Sequence, residues 1–203
     1  MIIRNLCFGF GLLALSAGAA LAGVEVGQPA PDFSLPDTNG QAHRLSEYKG
    51  KYVVLEWYNP DCPFVRKHYG SGNMQALQKE FTAKGVVWLS IDSSAPGQEG
   101  NYPAAKLNEI ASGQGVARTA LLLDPDGKVG HEYGAKTTPD MYIISPEGKL
   151  LYEGAIDNKP STVLSDIKSA TNYVKVALDS TLAGKSVGQT VTRPYGCSVK
   201  YAQ

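Results

Sequence analysis

Three short apolar runs, each followed by a segment of helical period, constrain this chain more than any other feature. The first, residues 51–57, carries Val53, Val54 and Leu55 and fits a strand buried on both faces. Residues 86–91 and 120–123 repeat that character. Between the first two runs, Met74, Leu77 and Phe81 recur at helical spacing with Lys79, Glu80 and Lys84 outside. Gly70 and Gly72 predict a kink or irregular turn there, and Gly85 ends the helix. A polar loop at 92–101 and a helix at 102–111 lead to the third run. Strands alternating with helices predict an α/β sandwich, with the early strands parallel.

The second half predicts the opposite strand direction. Asp124-Pro125-Asp126-Gly127 closes the third strand and 129–133 reads as a short helical segment. A strand at 141–145 meets Ser145-Pro146-Glu147-Gly148, a turn with proline second and glycine fourth. Residues 149–156 then return as its antiparallel partner. Residues 161–182 read as one long helix with Val163, Ile167 and Val174 on a common face, ended by Gly184. Ahead of the first strand, 32–35 and 42–45 flank Asp37-Thr38-Asn39-Gly40, and Gly40 supplies the positive φ of a hairpin loop. The expectation is a mixed central sheet flanked by helices, with an N-terminal β-hairpin extension and a flexible tail at 184–203.

The N-terminus reads as a secretory signal: Arg4, an apolar stretch from 6 to 19 too short to span a bilayer well, and Ala20-Leu21-Ala22 as a small-x-small cleavage site. This divides the chain into a signal peptide at 1–22, a domain at 23–183 and a tail at 184–203, and implies a periplasmic or secreted protein. Without Arg4 the charge is 18 basic against 19 acidic residues. That balance gives no electrostatic case for nucleic acid or an anionic membrane as partner. Cys7 leaves with the signal, so Cys62 and Cys197 remain, and an exported pair permits a disulfide.

Cys62 follows a buried strand and the Asn59-Pro60-Asp61 turn, and it opens a helix with Pro63 in the first turn. Backbone N–H groups and the helix dipole stabilise a thiolate at such a place. Arg66, Lys67 and His68 add positive field; Asp61 opposes it. A lone cysteine is otherwise an inert, buried small hydrophobe; the strand–turn–helix placement favours a reactive one presented to solvent. Glu56 is costly to bury unless protonated or hydrogen-bonded, and its alternative is a solvent-facing position. His68, His131 and Met141 are too scattered to imply a metal site. No prosthetic group or other cofactor is implied.

The stretch Glu56-Trp57-Tyr58-Asn59-Pro60-Asp61-Cys62-Pro63-Phe64-Val65 resembles the strand and active-site turn of thioredoxins. Cys62 falls at the first cysteine of their CxxC motif and Val65 at the second, so the nearby resolving cysteine is missing. Glu56 falls at the buried carboxylate that assists proton transfer. Thr138-Pro139 matches the cis-proline loop that faces the cysteine and holds substrate backbone. Gly27-Gln28-Pro29-Ala30-Pro31-Asp32-Phe33 resembles the opening of the redoxin and alkyl-hydroperoxide-reductase (AhpC/TSA) branch. A narrower resemblance, to a bacterial peroxiredoxin-like group, rests on Cys62-Pro63-Phe64-Val65, Lys67-His68-Tyr69, Tyr133-Gly134, Thr138-Pro139-Asp140 and the tail Gly196-Cys197-Ser198-Val199-Lys200-Tyr201. Some of that group carry a further cysteine just before the Thr-Pro pair, where this chain has Thr137. The resemblance covers roughly residues 24–183 and implies a thioredoxin-like sandwich.

Three functions follow as expectations. In the first, a thiol–disulfide oxidoreductase, Cys62 attacks a protein or small-molecule disulfide, Cys197 or an external thiol reductant resolves the product, Glu56 moves the proton and Pro139 aligns the substrate. Asp61, Pro63, Arg66 and Thr138 would line the substrate site. The second is a thiol peroxidase acting on a peroxide. Peroxiredoxins need a proline seven residues, and a Thr or Ser three residues, before the nucleophile; here those positions are Leu55 and Asn59. The third is a redox-inactive binding module in which Cys62 and Cys197 form a structural disulfide. The pair, 135 positions apart, is open at this point to three readings: a resolving pair, a permanent staple, or two unpaired thiols.

Overall fold

The strand run at 51–57 becomes β3 (Val53–Trp57), every residue of which is buried. It sits at the middle of a five-stranded sheet with β4 (Val87–Asp92), β5 (Ala120–Leu123), β7 (Asp140–Ile144) and β8 (Leu150–Gly154) in the order β5-β4-β3-β7-β8. The β3–β4 and β4–β5 pairs are parallel, and β3–β7 and β7–β8 are antiparallel. This is the mixed sheet that the order of the apolar runs predicts. The computed structural model describes residues 23–202; the expected signal peptide at 1–22 lies outside the described residues. No helix among the described residues is long and apolar enough to cross a membrane.

Side-chain alternation on β3 gives the sheet two cores. Val53, Leu55 and Trp57 face one, built with Phe33, Leu45, Val129 and Tyr133. Val54 and Tyr58 face the other, which holds Cys62, Val65, Met74, Phe81, Val174 and Leu178. The hairpin β1 (Ser34–Pro36) and β2 (Ala42–Arg44) forms as expected. Asp37 Oδ1 accepts the N–H groups of Asn39 and Gln41 at 2.8 and 2.9 Å, and Gly40 takes φ 81°.

The helix after β3 breaks where its glycines predict. Helix α1 (Pro63–Gly70) stops at Ser71, and α2 (Asn73–Thr82) starts after Gly72, whose φ is 76°. Helices α3 (Ala104–Gln114) and α4 (Lys128–Tyr133) follow β4 and β5. The expected long helix at 161–182 is not continuous. Its first half is a 3-10 turn at Leu164–Ser169 with no buried residue; α5 (Tyr173–Leu182) is the second half. Asn172 forces the break: its side chain caps α5 by accepting Lys175 N–H at 2.8 Å, and its backbone bridges to Asp157. An N-cap holds extended dihedrals, which ends any helix arriving from before it.

The tail departs most from expectation. It runs beside β8, with Thr190 O accepting Glu153 N–H and Thr192 N–H donating to Glu153 O, both at 3.0 Å. It then crosses the end of the sheet as β9 (Cys197–Ser198), antiparallel to β6 (Thr137–Thr138). Val199 N–H donates to Lys136 O at 3.1 Å, Lys200 O accepts Ala95 N–H at 2.8 Å, and Tyr201 OH donates to Ala135 O at 2.9 Å. The expected flexible segment is a bonded strap. Proline and glycine in sequence signal irregular backbone, and irregular backbone can still be fixed by partners distant in sequence.

Candidate active site

Cys62 is the N-cap of α1, at the end of the turn that leaves β3. The Asn59 side chain shapes that turn: its Oδ1 accepts Asp61 N–H at 2.8 Å and its Nδ2 donates to Glu99 O at 2.9 Å. The Thr138–Pro139 peptide bond is cis, and both residues are buried. The Cys62 thiol donates to Thr138 O at 3.0 Å. On the far side of Thr138, β9 places Cys197 directly opposite it in register. Gly196 makes the crossing possible: its φ is 148°, and a Cβ there would lie 2.1 Å from Thr138 O. Chain segments far apart in sequence thus bring Cys62 and Cys197 to the same loop, Cys62 through its thiol and Cys197 through β9.

Burial corrects one expectation. Cys62 is 1% exposed, because the tail covers the helix start that would otherwise meet solvent. Cys197 is half-buried. Its thiol is pushed up to about 12, by burial first and then by the hydrogen bond and charge of Cys62, so the two sulfurs are close enough to act on each other.

Lys67 and His68 do not lend Cys62 positive field as expected. Both are fully buried and turn toward Asp157, each nitrogen 3.9 Å from its Oδ2. Lys67 Nζ also donates to Lys159 O at 2.7 Å. Burial is the largest influence on His68 and pushes it down to about 4, so its ring is neutral at pH 7. Tyr195 of the tail joins this group: its hydroxyl donates to Asp157 Oδ1 at 2.5 Å and lies 3.3 Å from His68 Nε2. The cluster fastens the tail two residues before Cys197. No local sequence pattern marks Asp157 or Tyr195; the one pointer is that Lys67-His68 and the tail motif beginning at Gly196, the residue after Tyr195, belong to the same resemblance.

Glu56 is 0% exposed, not solvent-facing. Its Oε1 accepts Tyr69 OH at 2.8 Å. Its Oε2 accepts Trp88 Nε1–H at 2.9 Å, Ser90 Oγ–H at 2.8 Å and Gln78 Nε2–H at 3.4 Å. Four donors satisfy the buried carboxylate, and none of them is Cys62. Asp61, Pro63 and Arg66 lie at the rim. Arg66 Nη2 donates to Asp61 Oδ1 at 2.6 Å, its Nε donates to Pro60 O at 3.0 Å, and Tyr102 OH donates to Asp61 Oδ2 at 2.7 Å. The arginine is therefore spent on the turn. Leu55 and Asn59, at the positions where a peroxidase needs proline and a hydroxyl, are respectively a core residue of the opposite face and the organiser of the turn. His131 stacks on Tyr201 at 4.0 Å between ring centroids, apart from His68.

The sequence pattern of the AhpC/TSA family matches residues 26–153. The chain belongs to that family. The thiol–disulfide oxidoreductase ResA of Bacillus subtilis is 31% identical over 128 residues, covering 63% of this chain and 66% of that protein. The chain thus spans just under two thirds of the length of that relative. Peroxiredoxin Bcp of Bacillus subtilis is 50% identical, but over 79 residues, 34% of this chain and 45% of that protein. A crystal structure of an uncharacterised protein from Geobacillus kaustophilus superposes with a TM-score of 0.75 at 27% identity, over 88% of this chain and 93% of that one. The fold of this AhpC/TSA-family chain is therefore thioredoxin-like. The family match ends at 153, before Asp157, Tyr195 and Cys197, so it leaves the tail outside.

Proposed function

We propose that this protein is an exported thiol–disulfide oxidoreductase whose redox centre is the Cys62–Cys197 pair. The pair cycles between a dithiol and an intramolecular disulfide, and each turn moves two electrons and two protons to or from a partner's sulfurs. One observation carries the reading: β9 pairs with the cis-proline loop so that Cys197 stands opposite Thr138, the residue whose carbonyl accepts the Cys62 thiol. The resolving sulfur that a CxxC motif would hold at position 65 is supplied here by the tail. The name of the ResA relative supports the reaction class. Export rests on the signal-like residues 1–22.

Within that reading Thr138 and Pro139 align the tail sulfur with Cys62, and Asp61, Pro63 and Arg66 form the rim that a partner meets. Glu56 holds the base of the site by fixing α1, through Tyr69, to β3 and β4. A peroxidase reading draws on the match to Bcp, but Arg66 and Asn59, the groups nearest in place to a peroxide-activating set, are engaged in the turn.

The test uses the mature protein equilibrated in glutathione buffers of graded potential, with thiols blocked and peptides mapped. A Cys62–Cys197 bond that forms and breaks within the buffered range supports the reading. Cys62→Ser and Cys197→Ser should each abolish reduction of insulin disulfides. Full activity in either variant would refute the pair. Sequencing the N-terminus of the secreted protein checks cleavage near Gly23.

A further inference from the structure

Exposure separates the two sulfurs of the site. Cys62, 1% exposed, lies inside a hydrophobic core, with β9 and the Thr138 carbonyl over it. Cys197 lies on the covering strand and is half-buried. The cover is fastened on both sides of Cys197. Tyr195 binds Asp157 before it, and the Val199, Lys200 and Tyr201 bonds follow it. Gly196 is packed against Thr138 with no room for a side chain. A partner that approaches the folded molecule meets the tail before it can meet Cys62.

We propose that Cys197, not Cys62, is the sulfur that exchanges with an external dithiol, and that Cys62 is the inner, resolving partner. This inverts the order implied by the position of Cys62 at the start of a helix, and it rests on the redox-pair reading above. In the oxidised protein a thiolate of the partner attacks Cys197 Sγ. The Cys62–Cys197 bond breaks, and Cys62 leaves with the electron pair and takes a proton, which the Thr138 carbonyl then accepts as a hydrogen bond. The partner is now joined to Cys197. Its second thiol attacks its own bonded sulfur, and Cys197 leaves with the electron pair and takes a proton. The partner has gained a disulfide and lost two electrons and two protons; the pair has become a dithiol.

A geometric argument supports this order. Displacement at sulfur is in line, so the nucleophile enters opposite the leaving sulfur. Opposite Cys62 the path leads outward past Cys197; opposite Cys197 it begins within the core that encloses Cys62.

The experiment uses the wild-type mature chain, oxidised to the Cys62–Cys197 bond and mixed briefly with reduced glutathione. A monothiol cannot release itself from its adduct within one molecule. Acid quenching, blocking of free thiols with N-ethylmaleimide and peptide mapping then show which sulfur holds glutathione. The expected result is glutathione on Cys197 with Cys62 blocked, in roughly tenfold or greater excess over the opposite pattern. Glutathione chiefly on Cys62, with Cys197 blocked, would overturn the order while leaving the redox pair intact. Failure of the starting disulfide to form would overturn the pair, and the order with it.

Discussion

Replacing Tyr195 with phenylalanine should loosen the tail without disturbing the ring packing around it. The ring meets Phe64 edge-on at 5.8 Å, and Lys67 Nζ lies 5.6 Å from its centroid; phenylalanine keeps both contacts. What is lost is the hydroxyl bond to Asp157 Oδ1 and the longer contact with His68 Nε2 at 3.3 Å. Asp157 Oδ2 has no hydrogen-bond partner, so the carboxylate would keep one hydrogen bond, from Lys159 N–H to Oδ1 at 2.8 Å, beside the Lys67 and His68 nitrogens 3.9 Å from Oδ2. A buried hydrogen bond to a charged group contributes about 1.5–3 kcal/mol. A loss of about 2 kcal/mol raises the population with the tail open roughly 30-fold. In a Cys197→Ser background, iodoacetamide reaches Cys62 through that opening, so its labelling rate reports the open population. The expected result is roughly 30-fold faster labelling of Cys62 in Tyr195→Phe, with the global urea midpoint falling only modestly. An unchanged labelling rate would show that the hydroxyl does not hold the tail, and the account of the Asp157 cluster as its fastening would fail.

Three further outcomes follow from the same contacts. Gly196→Ala places a methyl group against Thr138 O at a φ of 148°, so the β6–β9 pair should open and Cys62–Cys197 disulfide formation should slow; mass mapping during oxidation by glutathione disulfide measures this. Glu56→Gln keeps one acceptor oxygen and puts an NH2 group in place of the other, facing either the Tyr69 hydroxyl or the Trp88 and Ser90 hydrogens that the carboxylate now accepts, and should destabilise the fold by about 1–3 kcal/mol in denaturant titrations. His68 titrates at 6.5 in a reference state and near 4 in the fold, chiefly through burial, with Asp157 opposing and Lys67 adding to the shift. Its neutral form is favoured by folding, so its contribution is complete above about 6.5 and is lost as pH falls toward 4. Up to about 3 kcal/mol is involved, and His68→Gln should flatten that part of the stability–pH curve.

The arrangement has a consequence for how a thioredoxin-like protein can do without a CxxC motif. Where the second cysteine of such a motif would stand, Val65 is buried in the core, and the α1 start holds one sulfur. In the proposed redox pair, the second sulfur comes from a strand added to the cis-proline loop. Oxidation of that proposed pair would tie the tail to the domain across 135 positions and stabilise the fold by up to about 5 kcal/mol, which would couple redox state to tail anchoring.

The sequence by itself determined the strand runs of the sheet, the helix break at Gly72, the hairpin turn at Asp37–Gly40 and the place of Cys62 at the start of α1. Each of these depends on neighbours within a few positions: apolar runs, glycine dihedrals, a turn before a helix. Only the tertiary structure decided which way the charges around Cys62 turn and what lies above it. Lys67 and His68 read as a basic face until Asp157 and Tyr195, some 90 and 127 positions away, are seen to receive them. The tail read as loose because its bonds all go to partners remote in sequence. Pairing across such distances is selected by the closed shape of the whole chain, where burial makes each unsatisfied polar group costly, and no local pattern encodes it.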